Sequence, residues 1–302
     1  MEMKANKVIL FYNSHSGAGT FASELDKVIG RFQSRGMQVF PYKIDREPEP
    51  MVEYLNSLDR ESICKVVIAG GDGSVDICVN ALVRADYHAP LAIFPTGTAN
   101  DLANHLKIPT VVEAMIDIAL EDYMVPLDIG QINDRYFVNE ASLGFIIDVS
   151  QKTDQKVKNV FGMVGYYIKG LEELPKIKPF RVKLKYEGTE KQEKIYFMLI
   201  MNGNTAGGFK KLAPRANTHD GKFDVIAFRE CDVLEFVNLV RKVLKREHIN
   251  SPYVHFFQTD EIMIDSEKPV GTDVDGEKGP DFPLNIKVIP SRFKVCVPRA
   301  IR

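Results

Sequence analysis

The sequence predicts an α/β N-terminal domain on a parallel sheet, followed by a β-rich C-terminal domain of sandwich type. Three observations predict it. In the first third, apolar runs suited to burial on both faces alternate with amphipathic helical stretches, the pattern of a parallel sheet covered by helices. Beyond about residue 126 the hydrophobic period becomes two, as in antiparallel strands with one wet face. At 302 residues and 45% hydrophobic content, the chain carries apolar material for two modest cores.

Taken in order, Val8 to Tyr12 reads as a buried strand. Phe21, Leu25, Val28, Ile29 and Phe32 form the apolar stripe of a helix that Gly36 ends. Gln38 to Ile44 is the second strand, Pro50 to Leu58 a helix and Lys65 to Ala69 a third strand. Val75 to Val83 follows as a helix, then Leu91 to Phe94 as a strand. In the second part Phe180, Val182, Leu184 and Tyr186 alternate with Arg181, Lys183, Lys185 and Glu187. Lys194 to Met201, Phe223 to Phe228, Glu261 to Asp265, Leu284 to Ile289 and Phe293 to Val297 repeat the strand pattern between turn residues such as Glu187-Gly188. The expected division is residues 1–128 and 129–290.

A net charge of -2 argues against nucleic acid as a partner. The four cysteines, Cys64, Cys78, Cys231 and Cys296, form no CxxC pair and sit among apolar neighbours, as reduced core thiols do. The first residues are too short and too β-branched for a signal peptide, and no run approaches the ~18 apolar residues of a membrane span. The expected location is therefore cytoplasmic. The six histidines show no HExxH spacing and no GxSxG elbow is present, which removes zinc hydrolase and serine hydrolase chemistry from consideration.

Ligands of open parallel sheets bind beyond the carboxyl ends of the strands. Three segments there are rich in glycine and small polar residues: Asn13 to Gly19, Gly70 to Ser74, and Pro95 to Asp101. Glycines let backbone amides approach a phosphate, and a following helix presents unpaired N–H groups to the same anion. Any one of these loops is explained as a tight turn with Ser74 or Asp101 as a cap. Three on one edge point to a nucleotide. Asp72 beside a polyphosphate needs a divalent cation between the two, which suggests magnesium. No GxxxxGK[ST] is present, but Gly17 to Ala22 fits the dinucleotide fingerprint GxGxxA, so an NAD-linked oxidoreductase is the rival enzyme reading. Four residues separate the strand from Gly17, and the nearest acid, Asp45, lies far beyond Gly19, which weakens that rival.

With these loops the sequence resembles the bacterial diacylglycerol and lipid kinase family, itself similar to NAD kinase and phosphofructokinase. The GGDGT motif of that family appears as Gly70 to Ser74, PxGTxND as Pro95 to Asp101 and NPxSG as Asn13 to Gly17. Val125 to Gly130, Gly207-Gly208-Phe209 with Ala213 to Ala216 and Asp220-Gly221, and Asp275-Gly276-Glu277 follow in the family's order. Asp76 and Ile77 depart from the usual Asn and Glu, and Ser74 replaces threonine.

The resemblance implies an ATP site formed by Asn13, Ser16, Gly17, Gly70, Gly71, Asp72, Gly73, Ser74, Thr98, Asn100 and Asp101, with Asp72 reaching Mg2+ through water. It implies a catalytic base at Glu277 with Asp275 beside it. It also implies a structural magnesium on Asp220 and the carbonyls of Asn217 and Lys222, and a final strand, about 291–302, that returns to the first domain.

The basic amphipathic stretch Thr153 to Pro175 reads as packing against the sandwich or as a lipid-surface element. Asp232 caps a helix through Val233, Phe236, Val237, Val240 and Leu244. The function expected is an ATP- and magnesium-dependent lipid kinase, with diacylglycerol as acceptor and phosphatidic acid as product. It would work in transient contact with a membrane surface, and a homodimer is compatible with this. A nucleotide-binding regulatory protein without turnover is the alternative of a different class.

Overall fold

The computed structural model describes residues 5–16, 21–44, 47–121, 123–144, 178–206, 209–210 and 212–299. Four parallel strands form the first sheet: β1 (Lys7–Tyr12), β2 (Gln38–Lys43), β3 (Ile63–Gly70) and β4 (Leu91–Pro95), in the order β4-β3-β1-β2. The helices are α1 (Leu25–Gln33), α2 (Glu49–Ser57), α3 (Asp72–Arg84), α4 (Asp101–His105) and α5 (Val112–Glu121). The period of two in β1 assigns the faces. Val8 and Leu10 share a core with Val28 and Phe32 of α1 and Met115 and Ile116 of α5. Ile9 and Phe11 share another with Met51 and Leu55 of α2 and Val75, Cys78 and Val79 of α3.

Two helix starts differ from the periodicity. Phe21–Glu24 is a 3-10 turn, so α1 begins only at Leu25. Helix α3 begins at Asp72, three residues before its apolar stripe, because Gly71 is extended and serves as its N-cap. The glycine turn thus runs directly into a helix.

The second part is antiparallel, and its strands also read off in chain order. They are β5 (Met124–Ile132), β6 (Arg135–Phe137), β7 (Glu140–Gly144), β8 (Phe180–Tyr186), β9 (Thr189–Met201), β10 (Thr205–Ala206), β11 (Phe209–Lys210) and β12 (Phe223–Arg229). After α6 (Val233–Lys245) come β13 (Val254–Thr259), β14 (Glu261–Ser266), β15 (Thr272–Val274), β16 (Glu277–Lys278) and β17 (Leu284–Cys296). Val182 and Leu184 of β8 enter the core with Ile195, Phe223, Val225, Ile264 and Ile286, while Arg181, Lys183 and Lys185 face outward. Strand β12 serves two cores, since Ile226 and Phe228 point the other way toward Leu239 of α6. The fold is the α/β domain with a β-sandwich that the sequence predicts.

Strand β17 joins the two parts. Its first half pairs with β14, its length runs antiparallel to β5, and Val295 lies opposite Leu91 of β4. The chain kinks between Ile289 and Phe293, where Ser291 has φ 49°. There the buried Asp128 of β5 accepts from the Ser291 amide at 2.6 Å and from the Gly221 amide at 2.7 Å. The sequence division at residue 128 falls inside β5.

Asp232 caps α6 by accepting from the Glu235 amide at 2.9 Å. Along this helix Leu244 is 57% exposed, because Leu239 and Val243 occupy the sheet-facing side and Leu244 is turned about 100° from Val243. The stretch Thr153 to Pro175 lies outside the described residues. Cys78 and Cys296 are buried and Cys64 and Cys231 half-buried.

Candidate active site

Because β1, β3 and β4 are adjacent and parallel, the loops that leave their carboxyl ends emerge side by side. The Asn13 amide donates to the Ala69 carbonyl at 2.9 Å, and Asn13 Nδ2 donates to Ser74 Oγ at 3.1 Å, which joins the first loop to the second. The Thr96 amide donates to the Gly70 carbonyl at 3.0 Å, which joins the second to the third. Asn100, at φ 51°, closes the third loop on itself: its Oδ1 accepts from the Gly97 amide and its Nδ2 donates to the Gly97 carbonyl, both at 2.9 Å. A Cβ on Gly97 would stand 2.5 Å from Gly71 Cα and 2.8 Å from Asn100 Oδ1, so the contact between loops requires glycine at 97, and a Cβ on Gly71 would be tight at 3.1 Å from Gly97 Cα. Ser16 Oγ lies beside Gly71, and Thr98 is exposed at the loop tip. Gly17, Gly19 and Asp45 lie outside the described residues.

Gly73 is different. A Cβ there meets no atom within 4 Å, so no protein contact requires a glycine in the first turn of α3. The space beside it is open at a helix N-terminus, where backbone N–H groups favour an anion.

Helix α3 also carries a polar ridge at four-residue intervals. Asp72 accepts from the Asp101 amide at 2.6 Å and from the Asn100 amide at 2.8 Å, so it holds the third loop and the start of α4. Asp76 Oδ2 pairs with Arg135 Nη2 at 3.1 Å. Asn80 Nδ2 donates to the Tyr136 carbonyl at 3.0 Å and its Oδ1 accepts from the Tyr136 amide at 3.1 Å. Asp76 and Asn80 are each only 4% exposed. Sequence reading noted Asp76 only as a departure from a pattern and passed over Asn80, although two polar residues four apart in the apolar run Val75 to Val83 were a usable signal.

Asp275-Gly276-Glu277, expected in a loop, is the tip of a tight hairpin in which Val274 pairs with Glu277. Asp275 and Gly276 have φ of 50° and 89°, the signs of a type I′ turn, for which Asp-Gly is favoured. The Asp275 carboxylate accepts three backbone amides: Val138 at 2.6 Å, Asn139 at 2.9 Å and Glu140 at 2.9 Å. Burial lifts its pKa to about 6 against those three donors, and the charge of Asp72 adds to the rise. Glu277 is exposed. Burial also lifts Asp72, opposed by the Asp101 and Asn100 amides. Glu140, whose Oε2 is enclosed without a hydrogen bond, is pushed well above the usual carboxylate range by burial and by Asp273, Asp275 and Asp101. No sequence signal pointed to Glu140 or Arg135.

Asp275 adds to the rise at Asp76 and Glu140, and Asp72 to that at Asp275, while Arg135 opposes it at Asp76 and the enclosed Glu140 Oε2 has no protein partner. Among the described residues no three His, Cys, Asp or Glu side chains are placed to hold a metal directly. Asp220 is exposed, and its Oδ1 accepts from the Lys222 amide at 3.1 Å. Asn217 is half-buried and Lys222 exposed in the same turn. Asp224 nearby is buried, with Oδ2 unpartnered and its carboxyl lifted by burial and by Asp220. His105 Nδ1 accepts from the Asn204 amide at 3.3 Å, tying α4 to the second part.

Residues 7–132 match the family described as diacylglycerol kinase catalytic domain, and residues 141–297 match the YegS C-terminal NAD kinase beta sandwich-like domain. A diacylglycerol kinase of Bacillus subtilis is 30% identical over 299 residues, covering 98% of this chain and 97% of its own. One of Staphylococcus carnosus is 30% identical over 293 residues, covering 97% and 95%. A crystal structure of a putative diacylglycerol kinase from Bacillus anthracis superposes with a TM-score of 0.85 at 22% identity, covering 100% of this chain and 98% of the other, and shares the fold.

Asp76 gives the site a pH dependence. Burial pushes its pKa up to about 7, with the charges of Asp275 and Glu277 adding and Arg135 opposing. Between about pH 4 and pH 7 the folded chain therefore keeps a proton that the unfolded chain has released. This contribution to stability is complete below about pH 4 and is lost as pH rises through about 7. Asp76→Asn should flatten that part of the curve, so the fall in Tm from pH 5.5 to pH 8.5 should be smaller in the variant. An equal or larger fall in the variant, read by thermal denaturation, would contradict the assignment.

Proposed function

Because this chain belongs to the diacylglycerol kinase family and is a lipid kinase, we propose that it transfers the γ-phosphate of ATP to the hydroxyl of diacylglycerol and so forms phosphatidic acid. The observation that carries the nucleotide reading is the open space at Gly73, at the N-terminus of α3, where three interlocked loops meet. Asn13, Ser16, Gly17, Gly70 to Ser74, Thr98, Asn100 and Asp101 would line the nucleotide. Mg2+, held through water near Asp72, would neutralise the charge of the triphosphate.

Glu277 takes the role of base. Asp275 has both oxygens engaged by backbone amides, whereas Glu277 is exposed two residues away and its charge acts on Asp76. As the lipid hydroxyl oxygen bonds to the γ-phosphorus, its proton passes to Glu277 and the bond to the bridging oxygen of ADP breaks. The acceptor lies in a bilayer, so the enzyme would work in transient contact with a membrane surface. Among the described residues no helix is long and apolar enough to cross one.

The test is transfer of label from γ-labelled ATP into mixed micelles containing diacylglycerol. Glu277→Gln should lower kcat by roughly 10²- to 10⁴-fold, with little change in KM for ATP. A kcat within a few-fold of the unmodified chain moves the base elsewhere. ATP binding without transfer to any extracted lipid would instead favour the regulatory reading.

Gly73→Ala separates ligand space from folding. Alanine suits a helix better than glycine, so stability should be unchanged or rise by up to about 1 kcal/mol. KM for ATP should nevertheless increase about tenfold or more, a loss of at least about 1.4 kcal/mol. An unchanged KM places the phosphates elsewhere.

Asp220, with the carbonyls of Asn217 and Lys222, is the second magnesium position in this reading. The enclosed, unpartnered Asp224 oxygen beside it marks a local excess of negative charge. Magnesium should raise Tm relative to a chelator, and Asp220→Ala should abolish that difference. If Mg2+ shifts both proteins equally, Asp220 holds no metal.

A further inference from the structure

Asp76 and Arg135 take no part in the chemistry above, yet they lie between its two halves. Arg135, the first residue of β6, donates from Nη1 to the Lys278 carbonyl on β16 at 2.9 Å. Its Nη2 reaches the Val274 carbonyl on β15 at 3.4 Å as well as Asp76 Oδ2 at 3.1 Å. One guanidinium therefore holds both strands of the Asp275-Gly276 hairpin against a carboxylate one turn along α3 from Asp72. Asp76 is itself fixed, because its Oδ1 accepts from Asn80 Nδ2 at 3.1 Å.

The hairpin needs such a hold. Strand β15 has three residues and β16 two, and a two-stranded hairpin is at best marginal alone. Its other anchors, the pairing of β15 with β7 and the three amides on Asp275, fix it to residues 138–144 of the second part. Arg135 fixes it to α3, the helix that grows out of the glycine loop. We propose that the Asp76–Arg135 pair is a positioning latch that sets how the Asp275–Glu277 turn is presented to the phosphate loops. The latch rests on the reading of that turn as the proton acceptor of the transfer. Neither residue touches substrate; both act through the hairpin backbone.

Lysine at 135 keeps the charge but lacks the planar fork that reaches three acceptors, and asparagine at 76 keeps the size but lacks the charge. Misplacement of a reacting group by about 1 Å costs on the order of 10²-fold in rate. Arg135→Lys should therefore lower kcat by about ten- to a hundredfold with KM for ATP within about twofold. Amide hydrogen exchange over residues 272–279 should accelerate while residues 72–84 keep their protection. The double variant Asp76→Asn/Arg135→Lys should be no slower than the worse single variant within about twofold, because both changes open the same latch.

A variant with lowered Tm but undiminished kcat well below that Tm would show a purely structural pair and overturn the proposal. So would losses that multiply in the double variant. If the unmodified chain phosphorylates no lipid, the kinase reading falls, and the exchange measurement alone decides the latch: unchanged exchange at 272–279 in Arg135→Lys refutes it.

Discussion

The site depends on the polar ridge of α3, a row of side chains four residues apart on an otherwise apolar, buried helix. Asp72 grips the third loop, whereas Asp76 and Asn80 both grip β6, Asp76 through Arg135, which in turn holds the hairpin, and Asn80 through the Tyr136 backbone. A helix is the most rigid ruler available to a chain, with 1.5 Å of rise per residue, so one turn separates successive grips by about 6 Å. Burial makes the arrangement exacting. A buried polar group left without its partner costs about 1 to 3 kcal/mol, more if charged, so each grip is enforced by the penalty for losing it.

The same economy of connection holds the two parts of the chain together. Strand β17 is shared by the parallel sheet and the antiparallel one, and its kink is secured by Asp128, which accepts amides from Ser291 and Gly221. Two backbone N–H groups on one carboxylate make Asp128 a strong and directional fastening. The contact of His105 with Asn204 adds a second tie, from the helix that follows the third loop. The three glycine loops and the hairpin are thus parts of one framework.

Electrostatics sets the character of the cleft. Asp72, Asp76, Glu140 and Asp275 all have raised pKa values, with burial the leading cause in each and neighbouring carboxylates adding in three of them. Arg135 is the cation that opposes the rise at Asp76. Asp72, Asp76 and Asp275 have protein partners, whereas the Glu140 Oε2 atom is enclosed without one.

The amino-acid sequence by itself determined the order of α/β and β-rich parts, since apolar runs and alternation are local patterns that burial imposes on each segment. It also located the three glycine loops and the Asp-Gly turn, because φ above zero and close backbone approach restrict residue choice at single positions, as at Gly97 and Gly276. The pairing of Asp76 with Arg135 was not legible, for the two lie 59 residues apart in sequence and meet only when β6 packs on α3. Glu140 and the division of labour between Asp275 and Glu277 were equally hidden. Which carboxylate is tied to backbone amides and which is exposed is decided by the packing of the hairpin on residues 138–140, a contact that exists only in the tertiary structure.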